Sequence, residues 1–259
     1  MRAAYVATAA AMASRELVRK RLVLALGLCL PVVFFAAAVA MESNQLLRVV
    51  LASGSGKARP VEELDLSLLF LAIAATGIIS AFFAANLIQR QLQANRRLVL
   101  CGYSPVELIA ARVSVLLAIA LVSAIYIGLV LALLARMDLF TPPRFPAGVL
   151  LGLVLSAFVH ACYGLLVGTL FANELASIFA ILVLVNIDAG WLQNPIYYGN
   201  AGSKWLIEAL PAHYPSQVIY VSAFTFEQVG RSLLNGLAYG CVLLLFALWL
   251  YVRRMRVAR

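Results

Sequence analysis

The residues able to do chemistry are few and widely spread. The chain has two histidines, His160 and His213, and four cysteines, Cys29, Cys101, Cys162 and Cys241. None of them shares a CxxC or other metal-binding spacing, so free thiols and no metal centre are expected. Ser156 and His160 stand four residues apart. On one helix they would be a turn apart, a poor geometry for a nucleophile and its base, and no GxSxG-type elbow accompanies them. An intramembrane hydrolase is therefore set aside, and no catalytic residue is expected. His160 reads as a hydrogen-bonded structural histidine. No GxxxxGK followed by Ser or Thr occurs, so the chain does not hydrolyse ATP through such a phosphate loop. Asp188 is the only acid well inside a long apolar stretch. An acid in that position is costly in lipid and is by default a functional candidate. It would bind a cationic substrate or pair with an arginine, although Trp191 and Gln193 follow closely enough to put it at a membrane interface.

The elements holding these residues follow from composition. Of 259 residues 64% are hydrophobic and only 12% charged, against roughly 45–50% and about 25% in soluble domains. A water-soluble fold of this length cannot hide that much apolar surface. The apolar runs are long and do not alternate, which predicts helices rather than a barrel. A crossing needs about 20 residues at 1.5 Å each. The fold class expected is an all-α integral membrane protein, one transmembrane domain over 1–259. Its spans are expected at 22–41, 67–88, 108–135, 147–171, 175–192 and 233–252. Residues 3–20 read as an interfacial helix with Val6, Ala10, Ala13 and Leu17 on one face. A rival reading takes Arg19-Lys20-Arg21 and the run ending Ala38-Val39-Ala40 as a signal peptide, but the stretch before the basic cluster is too long for one.

The net charge of +9 does not point to nucleic acid, because the basic residues flank the spans and form no stripe. With the N-terminus inside, the inner segments carry Arg2, Arg15, Arg19, Lys20, Arg21, Arg90, Arg96, Arg97, Arg112, Arg253, Arg254, Arg256 and Arg259. The outer ones carry Arg48, Lys57, Arg59, Arg136, Arg144, Lys204 and Arg231. The inner excess predicts both termini in the cytosol and an even number of spans in the plasma (inner) membrane.

Two connections stand out. Residues 89–107 are polar, then briefly amphipathic, then broken at Gly102. Ser104, Pro105 and Glu107 form a capping-box pattern for the next helix. This predicts a short helix along the membrane between spans two and three. Residues 193–232 are rich in aromatics and are cut by Pro195, Pro211 and Pro215. Segments 203–210 and 215–224 are too short to cross and too apolar for free loops, so short re-entrant helices are expected. Ala172, Asn173 and Glu174 leave room only for a tight turn between spans four and five.

The whole pattern resembles the permease subunits of ABC-2 type exporters. The most specific stretch runs Arg96-Arg97-Leu98-Val99-Leu100-Cys101-Gly102-Tyr103-Ser104-Pro105-Val106-Glu107-Leu108. It is similar to that family's coupling helix, break, and start of span three. Where many members have acidic residues ahead of that helix, this chain has Gln91, Gln93 and Asn95. The resemblance implies a separate cytosolic ATPase subunit holding ATP and Mg, no cofactor in this chain, and a second permease copy as homodimer or related heterodimer. It implies that Asn95, Arg96, Arg97, Leu98, Leu100 and Tyr103 meet the ATPase. It also puts spans two and five at the dimer interface. There Thr76, Ser80, Phe83 and Asn86, with Phe179, Leu182, Asn186, Gly190 and Asp188, suit an amphipathic substrate pathway. The function implied is ATP-driven export of an amphipathic small molecule. The alternatives are polysaccharide or lipid export and, from another class, a membrane scaffold that moves nothing.

Overall fold

The computed structural model describes residues 7–12, 14–15, 21–41, 45–49, 59–89, 105–134, 146–171, 173–195, 204–225 and 227–257. The helices are α1 (Arg21–Met41), α2 (Glu63–Gln89), α3 (Pro105–Leu134), α4 (Pro146–Leu170), α5 (Glu174–Ile187), α6 (Lys204–Glu208), α7 (His213–Phe224) and α8 (Gly230–Val257). A π-helical turn, Asp188–Leu192, prolongs α5. Among the described residues, five helices are long and apolar enough to cross a membrane: Glu63–Gln89, Ala110–Leu133, Ala147–Leu170, Glu174–Leu192 and Gly230–Arg254. The protein is a helical, multi-pass membrane protein. Helix is the form these runs must take, since only local i→i+4 bonds satisfy a single segment's backbone in lipid. The expected first span is α1, 21 residues long, whose apolar stretch Gly27–Met41 is shorter than the other five.

The described residues are not purely helical. Leu46–Val49 (β1) pairs antiparallel with Arg59–Glu62 (β2), Leu46 opposite Glu62 and Val49 opposite Arg59. The Glu63 amide extends the pairing to the Gln45 carbonyl at 2.9 Å. Val49 and Val61 are buried in the cluster that holds Phe35 of α1 and Leu66 of α2. The hairpin was not expected because each strand has four residues and buries one valine, too short a pattern to read as period two.

Helix α4 is the centre, packed against α2, α3, α5, α7 and α8. Small residues set its contact with α2. A Cβ on Gly77 would meet the His160 ring, one on Gly164 the Ala81 backbone, and one on Gly168 the Ala85 backbone. The pairing advances by four on both helices, so α2 and α4 run in the same direction. Such small-xxx-small seams let backbones approach where lipid provides no hydrophobic drive for helix association. Against α8, Gly236 meets Leu155 and Gly240 meets Phe158, again in the same direction. Inside α1, Pro31 removes one helical N–H. The Tyr126 hydroxyl of α3 donates to the Leu28 carbonyl in the adjoining turn.

The bundle has two unlike ends. One carries Arg112, Arg253 and Arg254. There Ala10, in the described part of the N-terminal helix, packs against Phe83, Leu87 and Val115. Val6, Ala13 and Leu17 lie outside the described residues. The opposite end carries the hairpin and the short helices α6 and α7; α6 falls within the expected 203–210, and α7 starts at His213, two residues ahead of the expected 215–224.

Candidate functional site

At the arginine-bearing end, helix α4 stops at Leu170 and exposes its last carbonyls, which need donors. Neighbouring helices supply them. Arg254 of α8 donates through Nη1 to the Thr169 carbonyl and through Nη2 to Leu170 O at 3.2 Å. Gln89, the last residue of α2, donates through Nε2 to Phe171 O at 3.0 Å and to the Ser177 hydroxyl of α5. Asn173 caps α5 by accepting from the Leu175 amide at 3.0 Å, and α5 starts at Glu174, four residues after α4 ends at Leu170, in keeping with the tight connection expected between these spans. Beside this clasp, Arg112 of α3 donates to the Tyr251 hydroxyl of α8 at 2.8 Å and lies 5.3 Å from its ring centroid. The ends of α2, α4, α5 and α8 are thereby tied at one turn, with α3 bonded to α8 alongside. The expected coupling residues Asn95, Arg96, Arg97, Leu98, Leu100 and Tyr103 lie outside the described residues, in the connection that starts one residue after Gln89.

At the opposite end Asp188 is 4% exposed, in the first position of the π-helical turn. Its Oδ2 accepts from the Ala212 amide at 2.8 Å and its Oδ1 from Gln193 Nε2 at 3.1 Å. The same Gln193 nitrogen donates to Ile207 O at 3.1 Å, which fixes its Oε1 as the acceptor for His213 Nδ1–H at 3.3 Å. One acid thus fastens both short helices to the end of α5. Burial pushes the His213 pKa below its ordinary value, and the nearby Glu208 partly counters this. Tyr239 of α8 donates to Ala209 O at 2.9 Å, and the rings of His213, Tyr214 and Tyr239 follow one another at 5.2 and 6.1 Å.

No protein-family model matches the chain, and no curated protein matches it.

The remaining pathway residues divide into two groups that the fold does not bring together. Thr76, Ser80, Phe83 and Asn86 are buried inside the bundle. Ser80 shares a 2.9 Å hydrogen bond with Ser123 of α3, and Asn86 Nδ2 donates to Phe82 O at 3.3 Å. Phe83 packs with Leu87 and Val115. By contrast Phe179 is 68% exposed and Leu182 is exposed with it. Asn186 is also exposed, its Nδ2 donating to Leu182 O at 2.7 Å. The reason for the split is the Gly/Ala seam, which turns the polar and small face of α2 towards α3 and α4. Asp188 points away from the exposed face of α5 and into the bundle. His160 is hydrogen-bonded as expected, its Nδ1 2.8 Å from Ser156 O. Cys29, Cys162 and Cys241 are free thiols, and Cys101 lies outside the described residues.

Sequence reasoning passed over Gln89, Gln193, His213 and Arg254. Their signal was weak but present. Gln89 ends an apolar run, and Gln193 stands five residues after Asp188, the spacing of one π-helical turn.

Proposed function

We propose that the chain is the permease subunit of an ATP-driven exporter that moves an amphipathic small molecule outward by alternating access. The position of Gln89 carries this reading. It stands directly before the basic connection 90–104 and is hydrogen-bonded to the α4–α5 turn. A force applied to that connection enters α2 at the point where four helices are tied. Rigid bodies joined in this way move together and do not bend independently. At the other end, two short helices anchored on Asp188 supply the element that would open and close towards the outside.

In this reading the arginine-bearing end faces the cytosol, as the basic excess requires, and both termini are cytosolic. Helix α1 is the sixth span. It starts after the N-terminal helix, which packs at the arginine-bearing end, and it leads into the hairpin at the opposite end. Its 21 residues extend about 31 Å, enough for the hydrocarbon core. The motor is a separate ATPase that binds ATP and Mg and contacts Asn95, Arg96, Arg97, Leu98, Leu100 and Tyr103. A second permease copy packs on the exposed face of α5 around Phe179, Leu182 and Asn186. Export of a polysaccharide or lipid by the same arrangement is the second reading. A non-transporting scaffold would leave the clasp without a load.

The test is purification of the chain from its native membrane and assay of any ATPase that comes with it. Assembly should raise ATP turnover. Leu98→Asp together with Leu100→Asp should abolish that rise while the protein stays folded. Unchanged stimulation would remove the coupling assignment, and absence of any associated ATPase would favour the scaffold.

A further inference from the structure

Near the arginine-bearing end, α8 takes part in two arginine–aromatic contacts that face opposite ways. Arg112 meets Tyr251 on the side turned to the bundle, where both residues are buried. Arg253 lies 5.5 Å from the centroid of the Trp249 ring, and that ring stacks on Phe246 at 5.8 Å and 18°. Trp249 is 53% exposed and Phe246 48%, and Arg253 is exposed with them. Steps of three and four put residues 246, 249 and 253 on one helix face. Leu245 and Val242 continue that face as exposed apolar surface towards the middle of the span.

The depth of this group is set by the helix. The apolar span runs to Arg254, so Arg253 stands at the level of the headgroups. At 1.5 Å per residue Trp249 lies about 6 Å deeper, the interfacial level that an amphipathic indole prefers. The neighbouring Arg254 is turned the other way, to the Thr169 and Leu170 carbonyls. What lies against an outward face of a span at this depth is lipid, and charge decides which lipid. A ring face holds a guanidinium by its charge and leaves N–H donors for an acceptor in the headgroup layer. Among the described residues no carboxylate pairs with Arg253. A phosphate matches its planar fork with two parallel hydrogen bonds. A second copy of the chain is the poorer occupant, because covering this face would strip water from a cation that brings no carboxylate with it.

We propose that Arg253, Trp249 and Phe246 bind the headgroup of an anionic phospholipid, whose acyl chain lies along Leu245 and Val242. The guanidinium donates to the phosphate, and the stacked rings hold the guanidinium and the top of the chain in place. A zwitterionic headgroup offers the same phosphate together with a cation that Arg253 repels, so the site selects net negative charge. It requires only that α8 spans the bilayer and does not depend on the export reading.

Trp191→Phe with Trp205→Phe leaves Trp249 as the sole tryptophan, so its fluorescence in the full chain reports on this face. The probes are phosphatidylglycerol and phosphatidylcholine brominated near the top of the acyl chains, each mixed into phosphatidylcholine bilayers. At equal mole fraction the anionic lipid should quench more strongly, with a relative affinity of roughly five-fold, the magnitude of one basic residue at an anionic surface. Arg253→Gln should abolish that preference. Arg231→Gln, which removes the same charge at the other end of α8, should leave it intact. Equal quenching by the two lipids, a preference that survives Arg253→Gln, or one lost equally in Arg231→Gln would overturn the site. No quenching by either lipid would give the face to a protein neighbour instead. A preference abolished by inorganic phosphate, but not by chloride at equal ionic strength, would assign Arg253 to a free anion and overturn the lipid.

Discussion

Gly164 lies against the backbone of Ala81, so near that a Cβ on the glycine would stand 2.1 Å from the Ala81 carbonyl oxygen. No rotamer change relieves this, because the neighbour is main chain and not a side-chain tip. Gly164→Val should therefore force α2 and α4 apart and cost at least the upper end of the roughly 1–3 kcal/mol typical of overpacking. Gly128→Ala is the control. Its Cβ would meet the flexible tip of Leu150 at 3.3 Å, and a much smaller change is expected. Thermal unfolding of both variants in the same detergent decides the matter.

The clasp at the arginine-bearing end predicts a local effect. Gln89→Leu removes the donor to Phe171 O and Ser177, at about 1 kcal/mol per hydrogen bond lost. Hydrogen exchange over residues 171–177 should quicken, while the opposite end stays protected. Arg254→Lys should loosen the same turn, because an ammonium cannot reproduce the guanidinium's reach to Thr169 and Leu170 together. Unchanged exchange in both variants would show that the turn holds without them.

Asp188 accepts two hydrogen bonds with its two carboxylate oxygens. Asp188→Asn replaces one acceptor by an NH2 that faces a donor. The cost expected is about 1–3 kcal/mol for a buried group left unpaired. The Ala212 amide should lose exchange protection even with no transported molecule present. An effect seen only with a cationic substrate would instead assign Asp188 to binding.

His213 gives the knot around Asp188 a pH dependence with a definite sign. Its pKa in the folded protein is lowered from the ordinary 6.5, so the unfolded chain takes up the proton first as pH falls. Stability is full above about pH 6.5 and declines below it, towards the lowered folded value. Unfolding midpoints measured from about pH 7 to about pH 5 should drop more steeply in the wild type than in His213→Gln. Parallel curves would show that the histidine carries no such linkage.

Much of the architecture is legible in the amino-acid order. The third, fourth and fifth spans begin or end within a few residues of the expected positions, and Pro105 opens α3 in keeping with its capping pattern. The two short helices are legible because segments 203–210 and 215–224 are apolar yet too short to cross. The hairpin is not, since Val49 and Val61 are single buried residues in four-residue strands. The site is harder. Phe83 and Phe179 look alike in sequence, yet one packs inside the bundle and the other faces outward.

What the amino-acid order alone determined is the set of long helices and, through the arginines, which ends belong together. In lipid a long apolar run must satisfy its own backbone, so helix follows from composition without reference to neighbours. What tertiary structure decided is which face of each helix meets which other. Spans apolar on every side have no wet face to exclude, so hydropathy does not orient them. The decision falls to backbone approach at Gly77, Gly164 and Gly168, and to long-range hydrogen bonds such as Gln89 to Phe171 and Asp188 to Ala212. These partners are far apart in sequence and meet only after the helices have packed.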